Sequence, residues 1–552
     1  MRTSLPLGAL GALCALGVLS VSSSASAAPK YLRLSYTGDP ATSMTVTWNT
    51  TVSASAEVKV GTSPGTYTQT VTGTTLQANA GLGWIQQVDL TGLSPDTTYY
   101  YVAGSASDGY SKEASFLTGP TGDPLCGQMR FAFLADNRPD PIFGGGDNWP
   151  QILAQAAAHK PDFTLNGGDM VIDGDKIDQW LAFLGWTEPV SKSIPLMPSM
   201  GNHDTGPGSG ASANYNQIFA LPSSTGTNGS NSEDYYYFTY GNAIFVSLST
   251  DSFKGGATPF ATQAAWLDEV LTKNPKKWKF VYYHKPSYTT EAVFSISHKS
   301  NEENQNASFI SMIDKHHVDV VFTSHNHWYE RFNPSNCSAQ SKPGSGTPCD
   351  VGASNYSGGT VHIVSGGAGA FTIPAALCGN TAGRAKCSGD HHYVLVSILD
   401  NKLLLQTYGA APQPNAIIDT ITITKAPDTV CSAPADAGVG GGGGFAGGGG
   451  LDAGAGAASP GGSGGGAGFG GGAAGSSAGN AGFGANPATG GTSSGGTTGA
   501  SGSSAGGSPA SSSDDGGCSC AVVGDSGRGK SSGVWLLLGA LALLRRRRVS
   551  QS

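Results

Sequence analysis

The amino-acid composition of this 552-residue chain changes sharply at Cys431, and the change limits how much of the chain can fold. The 83 glycines are concentrated beyond that point, in runs of Gly, Ala and Ser with few large apolar residues. Such a segment cannot bury enough surface to offset its conformational entropy. We therefore predict a disordered linker over residues 432–517 and expect the folded domains before it.

The N-terminal residues have the order of features typical of a secretory signal. Arg2 is followed by an apolar run, Leu5–Val21, and by the small residues Ala25-Ser26-Ala27. This order predicts a signal peptide over residues 1–27 and an exported protein. A retained membrane anchor is the alternative, and it is disfavoured because the apolar run is short and flanked by serines.

The C-terminal residues 518–548 contain three features in succession. Cys518-Ser519-Cys520 is followed by an apolar stretch, Val534–Leu544, and by the basic cluster Arg545–Arg548. This arrangement resembles the sorting tails of myxobacterial surface proteins. The resemblance implies cleavage near the cysteines and attachment to the outer surface of a Gram-negative cell. A simple C-terminal membrane anchor is the alternative.

Export favours disulfide bonds between the cysteines. Six cysteines lie around the folded region, and the sequence alone leaves their connectivity open. A zinc site is a poorer interpretation because no Cys-x-x-Cys spacing occurs among the six. We favour two local pairs and one that ties the ends of the larger domain: Cys337–Cys349, Cys378–Cys387 and Cys126–Cys431.

Hydrophobic periodicity divides the folded region into two domains. Residues 29–120 contain short alternating segments such as Met44–Trp48, which predicts a β-sandwich. Within it, Leu90–Tyr99 resembles the corner segment of a fibronectin type III domain. Residues 128–425 alternate strand and helix patterns, which predicts an α/β domain. The strand candidates used below are Met129–Ala135, Phe163–Asn166, Leu196–Met200, Lys279–Tyr283 and Val318–Thr323, and the helix candidates are Gln151–His159, Thr262–Lys273 and Ala307–His317.

Five polar clusters each follow one of these strand candidates. Sites in open α/β sheets form beyond the carboxyl ends of the strands, where the rigid sheet positions the loops. Carboxylate, amide and imidazole groups at such ends are suitable ligands for Zn, Mn or Fe. Each cluster alone is explained equally well as a turn or a helix cap, but five in succession predict a metal site. The clusters are Asp136-Asn137-Arg138, Gly168-Asp169, Gly201-Asn202-His203-Asp204, His284-Lys285-Pro286 and His325-Asn326-His327.

The order of these clusters resembles the metallophosphoesterase (calcineurin-like phosphoesterase) superfamily, and with the sandwich in front it resembles the purple acid phosphatase branch. The resemblance spans roughly residues 29–425 and implies a four-layer α/β/β/α domain behind the β-sandwich. It also implies two metal ions, most often Fe with Zn or Mn, bridged by Asp169. The first metal would add Asp136 and His327; the second would add Asn202, His284 and His325.

The same resemblance implies that His203 contacts phosphate and assists the leaving group, oriented by Asp204. Two departures concern the first metal: the purple branch has tyrosine where this chain has Ile172, and other branches have a histidine ligand where it has Arg138. Arg138 is either a phosphate clamp or the ion-pair partner of a neighbouring acid such as Asp140.

The expected activity is hydrolysis of small phosphate monoesters by a hydroxide that the two metals hold. A phosphodiesterase or nucleotide hydrolase of the same superfamily is one alternative, and a surface binding module with a decayed metal site is another. The net charge of −8 without a basic stripe disfavours nucleic acid as a partner. The sequence leaves substrate, metal identity and oligomeric state open.

Three smaller expectations concern residues beside the clusters. His298 is more consistent with a surface histidine than with a substrate contact. Asp173 and Asp175 are interpreted as solvated loop acids, and Glu330-Arg331 as a brace for the loop that carries His325 and His327.

Overall fold

The computed structural model describes residues 28–122, 128–138, 148–208, 210–227, 229, 231–251, 259–291, 297–410 and 416–427. The predicted signal peptide, glycine-rich linker and C-terminal tail lie outside the described residues, as do both members of the predicted pair Cys126–Cys431. Among the residues described, no helix is long and apolar enough to cross a membrane.

The N-terminal domain is a sandwich of two antiparallel sheets. One sheet has the order β1-β2-β6-β5, and the other has the order β4-β3-β7-β8 with β9 also paired to β7. The inner faces bury alternating residues such as Val46, Trp48 and Val58, which is why the period-2 pattern is visible in the sequence. The strands are β1 (Lys30–Ser35), β2 (Ser43–Thr50), β3 (Glu57–Gly61), β4 (Gln69–Thr72), β5 (Thr74–Gln77), β6 (Trp84–Thr91), β7 (Thr98–Ser105), β8 (Gly109–Tyr110) and β9 (Ala114–Leu117).

The larger domain alternates strands and helices before it closes with antiparallel strands. Its helices are α1 (Trp149–Ala158), α2 (Ile177–Ser191), α3 (Asn214–Ile218), α4 (Phe260–Lys273) and α5 (Asn306–Lys315). Its strands are β10 (Gln128–Leu134), β11 (Phe163–Asn166), β12 (Leu196–Pro198), β13 (Tyr236–Tyr240), β14 (Ala243–Ser247), β15 (Trp278–Tyr282), β16 (Val320–Thr323), β17 (Tyr329–Phe332), β18 (Val361–Ser365), β19 (Arg384–Ser388), β20 (His392–Leu399), β21 (Lys402–Gly409) and β22 (Ile417–Thr424).

These strands form two sheets that face each other. Their orders are β12-β11-β10-β20-β21-β22 and β13-β14-β15-β16-β18-β17-β19. The contact is aromatic: the ring of Phe131 lies 5.0 Å from Phe245 and 5.1 Å from Phe280, and Phe133 stacks on Phe322 at 5.0 Å. A second core lies on the outer face of the sheet that contains β14, β15 and β16, where helices α4 and α5 cover it. The predicted order of a β-sandwich and a four-layer α/β/β/α domain is confirmed.

Several elements of the larger domain were not predicted, among them helix α2 and strands β13 and β14. Helix α2 contains Gly185 and Pro189, residues that disfavour a helix interior, and packing of its buried face overrides them. Strands β13 and β14 form a hairpin joined by Gly241-Asn242, in which Gly241 has φ 55°. That dipeptide between apolar runs is a hairpin signal that the sequence did contain.

Both predicted local disulfides are present. Cys337 pairs with Cys349, and Cys378 pairs with Cys387. The two bonds secure the long connections around β17, β18 and β19, which carry little regular structure of their own. Two disulfides are consistent with an exported protein.

Arg33 on β1 joins the sandwich to the larger domain. Its side chain is buried, its Nε donates to the carbonyl of Ile218 at 2.7 Å, and one terminal nitrogen donates to Asn49 Oδ1 at 2.9 Å. The carbonyl oxygen of Ile218 in the larger domain and Oδ1 of Asn49 in the sandwich therefore both receive hydrogen bonds from Arg33.

We predict that Arg33→Ala lowers the free energy of unfolding by about 2–3 kcal/mol, because buried acceptors lose their donor. Urea unfolding measures the change. Lys30→Ala, an exposed change on the same strand, is the control and should alter the stability by less than about 0.5 kcal/mol. Equal effects of the two variants would contradict this account of the domain contact.

Candidate metal centre

The five clusters lie past the carboxyl ends of β10, β11, β12, β15 and β16, so both sheets contribute to one site. Three of the predicted ligands have left-handed backbone conformations: Asp136 at φ 54°, Asp169 at φ 57° and His325 at φ 71°. A non-glycine residue in this region is strained and persists only where the surroundings enforce it, often at functional sites. Sharp turns at these points aim the three side chains back toward the sheet edge.

One group of ligands surrounds the imidazole of His284. Its Nδ1 lies 2.9 Å from the carbonyl oxygen of Gly167, which only accepts, so Nδ1 carries the ring proton. The Nε2 atom faces Asn202 Oδ1 at 3.1 Å, Asp169 Oδ1 at 3.2 Å and His325 Nδ1 at 3.0 Å. Four candidate ligand atoms therefore point at a common centre.

A second group lies on the other side of Asp169 and contains Asp136 and His327. The Nδ1 of His327 donates to the carbonyl of Phe371 at 2.9 Å, which leaves Nε2 facing Asp136 Oδ1 at 3.3 Å. The other oxygen of Asp136 accepts the backbone N–H of His325 at 2.9 Å. Each group keeps its ligand atoms within 4.8 Å of one another, and Asp169 is common to both.

The chemistry of these donors fits cations. Asp136 Oδ1 is buried and has no hydrogen-bond partner among the described residues, a costly arrangement unless a cation satisfies it. Burial opposes the charged imidazolium, yet Asp169 and then Asp136 raise the pKa of His284 to about 10. Burial likewise opposes the charged form of Asp169, but His284, His203 and Arg138 hold its pKa well below the usual range. The site is electrostatically prepared for positive charge.

Glycines allow the loops to approach this closely. A Cβ on Gly201 would lie 2.3 Å from Asp169 Oδ1, and one on Gly168 would lie 2.9 Å from His284 Nδ1. Gly168 also has φ 98°, a conformation that side chains rarely adopt. The glycines before Asp169 and Asn202 are therefore required by close packing around the ligands.

The predicted role of Asp204 is wrong. Its buried carboxylate does not reach the ring of His203; instead, Oδ2 accepts the N–H groups of Asp169 and Gly201, both at 2.8 Å. Oδ1 accepts the N–H of Met170 at 2.8 Å. Adjacent residues in a turn point in different directions, so Asp204 fixes the two ligand loops to each other while His203 faces outward.

His203 is oriented by a backbone carbonyl. Its Nδ1 lies 2.6 Å from the oxygen of Ile172, the residue that replaces the tyrosine of the purple branch. The Nε2 of His203 lies 3.9 Å from Asp169 Oδ2. The residue that lacks the metal-binding phenol thus still contributes to the site through its main chain.

Arg138 also points into the site. Its Nε lies 3.4 Å from Asp169 Oδ2, so the guanidinium faces the oxygen that points away from His284. Asp140, the alternative partner, lies outside the described residues. Arg138 and His203 line a pocket of about 80 Å³ beside the ligands, together with Asp169, His298, His325, His327 and Phe371.

His298 is 48% exposed, which agrees with its interpretation as a surface histidine, but it also borders the site. Its ring packs on that of His325 with 3.5 Å between centroids, and it lines the pocket. Its Nδ1 lies 3.1 Å from Glu302, whose carboxylate also lies 3.5 Å from His325 Nε2. No periodicity marked His298 or Glu302, because their contacts to the ligands are tertiary.

The expected brace at Glu330-Arg331 is half right. Glu330 is fully buried and accepts hydrogen bonds from Thr289 and Thr290, which lie beside the histidine loop. Arg331 instead forms an ion pair with Asp419 at 2.6 Å on strand β22. Neighbouring strand residues point to opposite faces, which separates the two.

Asp173 and Asp175 are absent from both ligand groups. Asp173 Oδ1 accepts the N–H of Asp175 at 3.1 Å, an exposed loop contact.

Comparisons with known proteins identify relatives of both domains. Residues 29–118 match the purple acid phosphatase N-terminal domain, and residues 129–329 match the calcineurin-like phosphoesterase family. Human acid phosphatase type 7 is 29% identical over 56% of this chain and 72% of its own length. Purple acid phosphatase 23 of Arabidopsis thaliana is 31% identical over 46% of this chain and 58% of its own length.

Solved structures share the fold. The purple acid phosphatase PPD1 from yellow lupin seeds superposes with a TM-score of 0.58 at 22% identity, over 72% of this chain and 74% of its own. PhoD superposes with a TM-score of 0.54 at 15% identity, over 72% and 90% of the two chains. The domains, relatives and fold together support a hydrolase of phosphoric esters.

We predict that Asp169→Asn removes most bound transition metal, because one shared carboxylate serves both ligand groups. The metal content per chain, measured by mass spectrometry after dialysis, should fall at least about tenfold. Asp173→Asn, four residues further on in the loop, is the matched control and should keep its metal. Retention of metal by Asp169→Asn would contradict the assignment.

Proposed function

We propose that this chain, a calcineurin-like phosphoesterase that carries the N-terminal domain of the purple acid phosphatases, hydrolyses phosphate monoesters with two metal ions. One observation carries the proposal: two ligand groups share Asp169 and lie against a pocket that also contains Arg138, His203 and His298. A guanidinium, two imidazoles and metals on several sides of a small pocket suit a compact dianion. A phosphate monoester carries that charge, whereas a diester carries one negative charge and a second bulky substituent.

The proposed ligands fall into the two groups described above. Asp136, Asp169 and His327 would hold the first metal, and Asp169, Asn202, His284 and His325 the second. Nitrogen and oxygen donors without thiolate suit Fe, Zn or Mn. When bound, the ions supply Lewis-acid chemistry: they neutralise phosphate charge and lower the pKa of a coordinated water.

Arg138 is proposed to bind a phosphate oxygen. Its side chain is only 13% exposed, lines the pocket and approaches Asp169 Oδ2 with Nε at 3.4 Å. A planar guanidinium binds two oxygens of a phosphate at once. Arg138 thereby supplies positive charge beside the first metal. Related branches have a tyrosine or a histidine ligand there, and this chain has Ile172 and Arg138 at those positions.

His203 is proposed to donate a proton to the leaving oxygen. Because the Ile172 carbonyl can only accept, Nδ1 of His203 must be protonated, and Nε2 carries a proton only in the imidazolium form. Nε2 lies on the pocket side, near Asp169.

We also propose that the enzyme acts outside the cytoplasm. The signal over residues 1–27 would direct export, and residues 432–517 and 518–548 would form a spacer and a sorting tail at the cell surface. Residues 29–120 would form a fibronectin type III-like domain before the catalytic domain at 128–425. The Tyr99 hydroxyl accepts the N–H of Ser94 at 2.9 Å, which supports this assignment because such tyrosine corners occur in related sandwiches.

We predict that the full chain, loaded with Zn, Mn or Fe, releases phosphate from p-nitrophenyl phosphate with a kcat/KM at least about tenfold above that for the bis-ester. Colorimetric phosphate and nitrophenol assays measure both rates. Preference for the bis-ester would support a phosphodiesterase instead. A chain that binds less than one metal and hydrolyses neither would support a decayed binding module.

A second prediction concerns His203→Asn, which removes the proton donor but keeps a polar side chain. We expect kcat to fall about 10²-fold or more for an alkyl phosphate, whose leaving group needs protonation. The loss should be several-fold smaller for p-nitrophenyl phosphate, whose leaving group is stable as an anion. Equal losses on both substrates would refute the role in leaving-group protonation.

A further inference from the structure

We propose that Asn326, the residue between the two ligands His325 and His327, positions His298 for phosphate binding and is a specificity-determining positioning residue. This inference rests on the proposed function of the same site. Asn326 is 1% exposed, and its side chain points away from the metal ligands toward the segment that carries His298. Asn326 is not one of the proposed metal ligands, so the ligand pattern does not explain a buried amide at this position.

The amide of Asn326 pairs with the main chain of His298 in both directions. Its Oδ1 accepts the N–H of His298 at 2.7 Å, and its Nδ2 donates to the carbonyl of His298 at 3.2 Å. This arrangement imitates a strand pair and fixes the backbone of His298 on both sides of its Cα atom. The ring of His298 is thereby held against His325 and at the pocket wall.

A buried polar chain holds Asn326 in turn. Its Nδ2 also donates to Thr289 Oγ1 at 2.7 Å, and the hydroxyl of Thr289 donates to Glu330 at 2.7 Å. Glu330 forms an ion pair with Arg384 at 3.1 Å, and Arg384 donates to the carbonyl of Cys378 at 3.2 Å. The chain of contacts runs from the segment closed by the Cys378–Cys387 disulfide to His298, and a satisfied buried network of this kind is rigid.

The segment around His298 has other anchors, so loss of Asn326 would misplace His298 without unfolding its surroundings. Ser300 exchanges hydrogen bonds with the main chain of Thr289, both at 2.9 Å. Glu303 pairs with Lys285, the residue after the ligand His284. These contacts remain in an Asn326 variant, whereas the backbone of His298 and the hydroxyl of Thr289 lose their hydrogen bonds to the amide.

The test compares Asn326→Ala with Asn49→Ala in the full-length, metal-loaded enzyme. Asn49 is a matched control: it is also buried, donates to the carbonyl of Leu82 at 3.0 Å and accepts from Arg33, but it lies in the sandwich. Both variants should lose thermal stability and keep the metal content of the wild type. Only Asn326→Ala should raise the KM for p-nitrophenyl phosphate and the Kd for inorganic phosphate, each about tenfold, the worth of one hydrogen bond to a charged group.

A double variant separates positioning from general damage. If Asn326 acts through His298, then His298→Ala and His298→Ala/Asn326→Ala have the same KM and the same Kd for phosphate. A merely structural role would lower the amount of active enzyme, and thus kcat, at unchanged KM. Unchanged KM and Kd in Asn326→Ala, or additive effects in the double variant, would overturn the inference. Calorimetry with inorganic phosphate needs no turnover, so this failure is distinct from absence of wild-type phosphatase activity.

Discussion

The candidate metal centre depends on the hydrogen bonds by which Asp204 connects two backbone turns. Its carboxylate accepts N–H groups from Asp169 and Gly201, and so joins the loop that carries the shared ligand to the loop that carries Asn202. Burial and the charge of Asp169 raise the pKa of Asp204 to about 7, while the backbone N–H groups oppose that shift. The buried carboxyl group of Asp204 is neither a metal ligand nor a partner of the His203 ring. Its role is to position Asp169, the ligand that both groups share.

The fold brings the ligand side chains together at one edge of the two sheets. Parallel strands of two facing sheets end at the same edge, and left-handed turns at Asp136, Asp169 and His325 return their side chains to that edge. The aromatic contact between the sheets keeps the strand ends at a fixed separation. The sandwich contributes no ligand, and its Arg33 secures the segment near Ile218 instead.

The sequence predicted the part of the site that local pattern controls. Each ligand follows an apolar strand, and the direction of parallel strands then requires the ligands to meet at one edge. It failed where contacts join distant residues: Asp204 was assigned to its neighbour His203, and the contacts of His298 to His325 and Glu302 were not predicted. The carbonyl of Phe371, which sets the tautomer of His327, belongs to a loop without any periodicity. Helix α2 was missed because its packing outweighs the propensities of Gly185 and Pro189.

The central claim is that one carboxylate is shared by two cations. Anomalous X-ray diffraction from crystals of the metal-loaded protein, recorded at the absorption edges of the bound metals, tests it most directly. The account predicts two anomalous peaks about 3.5–4 Å apart, one on each side of Asp169. A single peak that Asp169 does not contact, or metal bound elsewhere on the chain, would contradict it.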